Sequence, residues 1–386
     1  MTMKQALLIA PSFDGPGGGT CVAAWALQGL RAEYQVTLLA WEKPDFALMN
    51  DRFGTNVPPD GAGVVLVPRW LGRLLDLIPF RLALLRRSIL QSFARRLLRE
   101  RDFDVVASAE NEMDVGRRMV QYVHFPWAAY PRPGHDLRWY HPKPLVWLYR
   151  SIVIALFGDA RKSIRTNLTL VNSAWTGRYY QEWYDGAPCQ VLYPPAPVAP
   201  SNQDWEERRD SFICLGRFAP EKRILEMIAV LRQVRRRGFD ITMDICGQIG
   251  DAAYYRKVCA AAEAEGEWVR VHLDLPRSAL IELITKCRYG IHGMVGEHFG
   301  IAIAEIIRRG CLCFANRDGG PAEILGDGRL LFDDDAMAIE RICAVLADQN
   351  LQDDLREKVE QQSRLFSPKS FMSGFLTSCK FISEEK

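Results

Sequence analysis

Short apolar runs alternate with helix-patterned segments along this chain, and that alternation constrains its fold more than any other feature. Ala6–Ala10, Val36–Ala40, Val64–Val67, Val105–Ser108, Met119–His124 and Leu168–Asn172 read as strands. Val22–Leu30, between the first two, is rich in good helix formers. Strand–helix–strand alternation predicts a parallel sheet covered by helices on both faces. The tract Pro194-Pro195-Ala196-Pro197-Val198-Ala199-Pro200 then interrupts the pattern. So much proline excludes helix and central strand, so the tract reads as a linker.

Beyond it the alternation restarts. Ser211–Leu215, Ile241–Cys246, Val269–Leu273, Tyr289–His292, Cys311–Ala315 and Leu330–Phe332 read as strands, with helices over Ile224–Arg237, Ala252–Glu265 and Arg277–Lys286. Three parts are expected: a Rossmann-like domain over 1–196, a second over 197–365, and a helical tail over 366–386 that crosses back to the first domain. Two such α/β domains joined by a proline hinge predict a cleft, with ligands beyond the carboxyl ends of the strands.

Composition excludes several classes. A chain of 386 residues with 48% hydrophobic and 25% charged residues is neither disordered nor a small disulfide scaffold. Its net charge of +2 gives no global excess for nucleic acid. Residues 1–196 carry 23 Lys/Arg against 17 Asp/Glu, and residues 197–386 carry 26 against 30. Much of that basic excess lies in Arg69–Arg101, where nine Arg face Asp76 and Glu100. Arg86, Arg87, Arg95, Arg96 and Arg99 are expected on one face, as in a helix lying on an anionic membrane. A solvated helix packed by its other face explains the stretch equally well. The cysteines show no Cys-x-x-Cys, and the histidines have no metal-ligand spacing, so no metal site is assigned. Reduced buried thiols suit a cytoplasmic protein. The N-terminal apolar run is too short for a signal peptide, and Leu145–Phe157 too short for a spanning helix.

Four loops carry candidate chemistry. Gly15-Pro16-Gly17-Gly18-Gly19-Thr20 follows the first strand, where glycines let backbone N–H groups approach a phosphate. It is neither a dinucleotide fingerprint nor a Walker A loop, and a tight turn explains it as well. Gly216-Arg217-Phe218-Ala219-Pro220-Glu221-Lys222-Arg223 sets cations at a strand end, where a helix dipole disfavours them unless an anion is present. Glu297-His298-Phe299-Gly300-Ile301 leads into a helix that holds Glu305. His124 ends a strand ahead of Phe125-Pro126, although a lone histidine is more often structural. Asp333-Asp334-Asp335 reads as a helix N-cap rather than a metal cluster.

Together these segments resemble retaining glycosyltransferases of the GT-B fold, of the large family four. The resemblance rests on Gly18-Gly19, Asn172-Ser173-Ala174-Trp175-Thr176, Tyr193-Pro194-Pro195, the Gly216–Arg223 loop, the Glu297–Glu305 run and Asp318-Gly319-Gly320-Pro321-Ala322-Glu323. The Tyr122–Pro126 and Ile291–Met294 segments are further similar to mannosyltransferases that extend dolichol-linked oligosaccharides.

The resemblance implies two domains facing across a cleft and roles residue by residue. Arg217 and Lys222 would hold the donor diphosphate as leaving group, and Glu297 the donor sugar's hydroxyls. Glu305 would bond the nucleotide ribose. Backbone groups of Phe299, Gly300 and Ile301 would meet sugar and phosphate. His124 would sit beside the transferred sugar, and Gly18 and Gly19 against the diphosphate. The implied donor is GDP-mannose, the acceptor a glycan or lipid-linked saccharide, and no cofactor is needed. The implied place is the cytoplasm, at the inner face of the membrane. In the retaining mechanism of this fold the departing phosphate takes the acceptor's proton, so the two-carboxylate glycosidase scheme does not apply to Glu297 and Glu305. Pro131–Pro144, with Arg132, His135 and Arg138, matches nothing in the pattern and is a candidate for shaping the acceptor site. The competing readings are another GT-B enzyme acting on sugar nucleotides or by phosphorolysis, and a non-catalytic sugar-nucleotide-binding subunit.

Overall fold

The computed structural model describes residues 3–78, 82–129 and 142–385, so Pro79, Arg81, Arg132, His135 and Arg138 lie outside the described residues. The chain divides into two compact units, Met1–Pro195 with Pro368–Lys386, and Ala196–Ser367.

The strands of unit 1 are β1 (Lys4–Ile9), β2 (Tyr34–Ala40), β3 (Gly63–Leu66), β4 (Val105–Ser108), β5 (Val120–Val123), β6 (Leu168–Val171) and β7 (Gln190–Val191). They pair in parallel in the order β3-β2-β1-β4-β5-β6-β7. The helices are α1 (Gly18–Leu30), α2 (Phe46–Phe53), α3 (Arg69–Asp76), α4 (Ala83–Glu100), α5 (Lys143–Phe157), α6 (Arg161–Ile164) and α7 (Ala174–Trp183). Strand alternation splits the core between two faces. Ala6 and Leu8 of β1 pack in a cluster with Val36, Leu38, Val105 and the apolar residues of α1. Leu7 and Ile9, pointing the other way, join Leu90, Ala94 and Leu97 of α4.

Unit 2 repeats the plan. Its strands are β8 (Arg209–Leu215), β9 (Thr242–Gly247), β10 (Val269–Leu273), β11 (Cys287–His292), β12 (Leu312–Asn316) and β13 (Leu331–Phe332). The parallel order is β10-β9-β8-β11-β12-β13. Its helices are α8 (Ile224–Arg236), α9 (Ala252–Glu265), α10 (Arg277–Lys286), α11 (Ile301–Arg308), α12 (Pro321–Leu325), α13 (Asp335–Ala347) and α14 (Gln349–Ser363). Asp334 caps α13 by accepting the Met337 N–H, as the acidic run predicts.

The final helix, α15 (Pro368–Glu384), belongs to unit 1. Phe371, Phe375, Cys379 and Ile382 recur at helical spacing and are buried in the cluster that contains α1. Gly29 of α1 admits this approach, since a Cβ there would lie 3.2 Å from Met372 Cβ. Each of the two phenylalanines contributes about 1.5–3 kcal/mol by burial.

In both sheets the order reverses beside the first strand, between β1 and β4 and between β8 and β11. Such a switch point leaves a crevice at the carboxyl ends of the two strands, because their connections leave in opposite directions.

Candidate functional site

At the switch point of unit 2, the loop after β8 meets the loop after β11. Pro220–Lys222 forms one 3₁₀ turn, and Arg223, with φ 51°, reverses the chain into α8. The loop lies close to its neighbour strand. Phe218 bridges to Ile249, and a Cβ on Gly247 would sit 1.8 Å from the Gly216 carbonyl oxygen. The Lys222 stem covers Gly216, with its Cδ 3.6 Å from where a Cβ there would be.

This path delivers the Lys222 ammonium to the Glu297 carboxylate, Nζ to Oε2 2.6 Å. The same oxygen receives His292 Nε2 at 3.1 Å, from the last residue of β11. Met294 Sδ lies 3.2 Å from Lys222 Nζ. The pair is largely covered, with side-chain exposures of 17% for Lys222 and 14% for Glu297. Burial by itself would raise the Glu297 carboxyl, but Lys222 and His292 hold it well below the usual range. Burial lowers the His292 imidazole, and Lys222 lowers it further against the pull of Glu297. At neutral pH the arrangement is a carboxylate that accepts from an ammonium and a neutral imidazole.

Glu297 is itself clamped by backbone. It bridges to Gly319, whose φ is 122° and where a Cβ would lie 2.2 Å from the Glu297 carbonyl oxygen. Gly320 N–H donates to that oxygen at 2.8 Å, and a Cβ on Gly320 would meet Phe299 Cα at 2.5 Å. The Asp318-Gly319-Gly320 run therefore has glycines because two backbones touch there. Gly300, with φ 108°, turns the chain into α11, whose first N–H groups belong to Ile301, Ala302 and Ile303. Ala304 already donates to Gly300.

Two other sequence-derived residues stand apart from this cluster. Arg217 is about half exposed and pairs with Glu221 at 3.4 Å. Glu305, on α11, pairs with Arg277 at 3.4 Å. Burial raises its carboxyl, opposed by Arg277. Arg223, beside Lys222 in sequence, bonds Asp335 at 2.9 Å and turns away from Glu297. The cations at the start of α8 are thus answered by protein carboxylates.

Unit 1 gathers a different set at its own switch point. Gly17, with φ 125°, precedes α1, so Gly18 and Gly19 lie in the first helical turn rather than in a loop before it. A Cβ on Gly19 would lie 3.5 Å from Glu110 Oε2 and 3.5 Å from His124 Nε2. His124 Nε2 is 3.0 Å from the Ala109 carbonyl, which fixes that nitrogen as the proton carrier. Burial lowers this imidazole to about 4, against the hydrogen bond to Ala109. Its backbone is held from both sides: Asn111, at φ 58°, accepts from His124 N at 2.7 Å, and Asn172 Nδ2 donates to its carbonyl at 2.9 Å. Burial, and secondarily the Glu112 carboxylate, pushes Glu110 up to about 7.

Of the five arginines expected on one face of α4, four have protein partners and Arg99 is exposed. Arg87 donates to the Glu112 carbonyl, Arg95 to Asp114, Arg86 to Asp76 and Arg96 to Glu100. The guanidinium groups spend themselves on loops and neighbours because unsatisfied carbonyls and carboxylates lie within reach. Among the described residues, no three His, Cys, Asp or Glu side chains converge as a metal site would require.

Sequence reasoning did not assign His292, Met294, Arg277, Glu110 or Asn111. His292 carried a usable signal: a polar residue that ends a buried strand, directly before Gly293, in a segment already similar to mannosyltransferases.

Comparison with known proteins follows the same division. Residues 199–362 match the model of the family described as glycosyl transferases group 1. Over 238 residues the chain is 24% identical to a Dictyostelium discoideum protein named GDP-Man:Man(3)GlcNAc(2)-PP-Dol alpha-1,2-mannosyltransferase, covering 56% of this chain and 47% of the relative. The human protein of that name is also 24% identical, over 55% and 48% of the two chains. The chain therefore spans about half the length of these relatives. Among solved structures, WaaG, a glycosyltransferase involved in lipopolysaccharide biosynthesis, superposes with a TM-score of 0.67 at 15% identity, over 96% of this chain and 99% of that one. Anabaena HepE in complex with UDP and glucose gives 0.64 at 15%, over 99% of each. Residues 199–362 thus match the group 1 glycosyl transferase model, in a chain with the GT-B fold.

Proposed function

We propose that this chain is a retaining, metal-independent hexosyltransferase that moves mannose from GDP-mannose to a glycan or lipid-linked acceptor, in the cytoplasm. The observation that carries the proposal is the Lys222–Glu297 contact of 2.6 Å at the carboxyl ends of β8 and β11. The names of the relatives, which use GDP-mannose, support the choice of donor.

The chemistry makes two demands. Breaking the bond between the anomeric carbon and the diphosphate oxygen places negative charge on that oxygen and positive charge on the carbon. Lys222 and the exposed Arg217 supply fixed cations for the first, helped by the N-terminal end of α11. Glu297, held ionised, has only acceptor oxygens, so it bonds the hexose hydroxyls. Glu305 accepts from the ribose hydroxyls while Arg277 orients it. The acceptor hydroxyl attacks on the face the diphosphate leaves, and its proton passes to the departing phosphate oxygen. No protein base is then needed. In unit 1, the neutral His124, with Glu110 beside Gly19, forms a hydroxyl-binding group for the acceptor.

Thermal melting against GDP-mannose, GDP-glucose, UDP-glucose and ADP-glucose tests the proposal. A donor at about a hundred times its Kd stabilises the fold by roughly 2.7 kcal/mol, and GDP-mannose should give the largest shift. Lys222→Ala should lose that shift. The proposal fails if no sugar nucleotide moves the transition, or if the variant responds as the wild type does.

A further inference from the structure

Two helices of unit 1 turn apolar residues outward. On α3, Leu75 is buried, while Trp70, Leu74 and Leu77 follow one another at helical spacing on the open side. Trp70 is 64% exposed and Leu77 80%. On α5 the one buried residue is Val153, and Trp147, Leu148 and Leu156 are exposed, Trp147 at 70%. The two helices adjoin through the start of α4. Arg86 there pairs with Asp76 at the end of α3, and the Leu85 N–H donates to the Tyr149 hydroxyl of α5 at 2.9 Å. Two tryptophans and several leucines left open on two helices that adjoin α4 mark an interaction surface, not scattered surface hydrophobes.

The charges around them specify the partner. Arg69 and Arg73 are exposed on α3, and Lys143 opens α5. Lys162 follows α5 and is also exposed, while Arg161 and Arg165 beside it pair with Asp159 and Asp185. The acidic neighbours are neutralised, Asp76 by Arg86 and Asp159 by Arg161. An apolar band with tryptophans and a basic rim matches the boundary between acyl chains and anionic headgroups, where the amphipathic indole ring is favoured. A second copy of the chain fits less well, because a two-fold pairing would bring two basic rims together. Among the described residues no helix is long and apolar enough to cross a membrane, so the contact is made from the surface.

We propose that the outward faces of α3 and α5, with Trp70 and Trp147 as anchors, seat unit 1 on an anionic lipid surface. The sequence pointed to Arg69–Arg101; the proposal keeps α3 from that stretch and adds α5, because Arg86, Arg87 and Arg95 of α4 are engaged within the protein. The contact does not depend on the donor chemistry of unit 2.

Sedimentation of the full chain with lipid vesicles tests the surface. Phosphatidylcholine vesicles containing phosphatidylglycerol should carry the protein down, pure phosphatidylcholine much less, and added salt should release it. Trp70→Ser with Trp147→Ser should weaken partitioning at least about tenfold with an unchanged melting transition. Arg69→Gln with Arg73→Gln should weaken it about fivefold per charge. Both pairs lie on the exposed surface, so the second stays informative if the first impairs folding. The proposal is overturned if the wild type stays in the supernatant with both vesicle types. It is equally overturned if the tryptophan pair leaves vesicle binding intact but converts a dimer to a monomer in sedimentation equilibrium.

Discussion

The two units share a strand order and a switch point, yet they furnish those points in opposite ways. Unit 2 brings opposite charges together: Lys222 and Glu297 in contact, and Arg277 against Glu305, whose carboxyl burial still raises. Unit 1 brings together groups driven toward neutrality: His124 lowered to about 4 and Glu110 raised to about 7, with no ion pair to either side chain among the described residues. The same backbone plan can therefore serve a charged ligand or a hydroxyl-bearing one. What decides is which loop residue reaches the crevice and whether an opposite charge meets it. A carboxylate with an ammonium at 2.6 Å stays ionised under burial, whereas Glu110, with Glu112 as its charged neighbour, does not.

The largest effect should come from removing the charge that defines unit 2. Lys222→Ala should lower turnover by about 10²–10³, the usual cost of one lost contact to a developing oxyanion. It also strands Glu297 as a buried carboxylate, so stability should fall as well. Adding Glu297→Gln should recover the melting temperature without recovering turnover. That split between stability and rate, measured on the single and double variants, separates catalysis from packing. Near-normal turnover in Lys222→Ala would end the contrast between the units.

Glycines sharpen the comparison at the next level. A Cβ on Gly319 would lie 2.2 Å from the Glu297 carbonyl oxygen at a φ of 122°, whereas one on Gly19 would meet only ordinary contacts at 3.5 Å. Gly319→Ala should therefore cost roughly 2–3 kcal/mol and displace Glu297. Gly19→Ala should leave stability within about 1 kcal/mol of the wild type, since alanine favours the helix. Its methyl would nevertheless stand between Glu110 and His124 and obstruct a ligand. Chemical denaturation of both variants checks the order, and equal losses would contradict the close packing assigned to Gly319.

Much of this arrangement was legible in the sequence, and the omissions share a cause. Apolar runs marked β1 to β6 and β8 to β13 within a few residues, because buried parallel strands are apolar on both faces. The two exposed residues of β7, Gln190 and Val191, left no such mark. Lys222, Glu297 and Glu305 stood out because motif and position agreed. Arg277 and Glu110 did not, since each matters through a neighbour distant in sequence. Glu110 reaches the crevice only because β4 lies beside β1, a fact of strand order. Arg277 meets Glu305 across 28 residues, and no local pattern encodes that pairing.

The finest test lies in how Glu110 responds to pH. Its folded-state value of about 7 exceeds the ordinary 4.5, so folding favours the protonated carboxyl. Below pH 4.5 the group is protonated in both the folded and unfolded chain and adds no pH dependence. Between 4.5 and 7 the folded chain binds more protons than the unfolded one, so stability falls as pH rises, and above 7 the penalty is constant. Glu110→Gln removes that penalty. The variant should match the wild type at low pH and exceed it by about 1 kcal/mol at pH 8, a figure reduced for the group's partial contact with solvent. His124 titrates in both proteins, losing stability as pH falls from 6.5 toward 4, so the difference curve isolates the carboxyl. Parallel melting curves across that range would place Glu110 among ordinary solvated carboxylates. The chemical contrast between the two switch points would then rest on His124 alone.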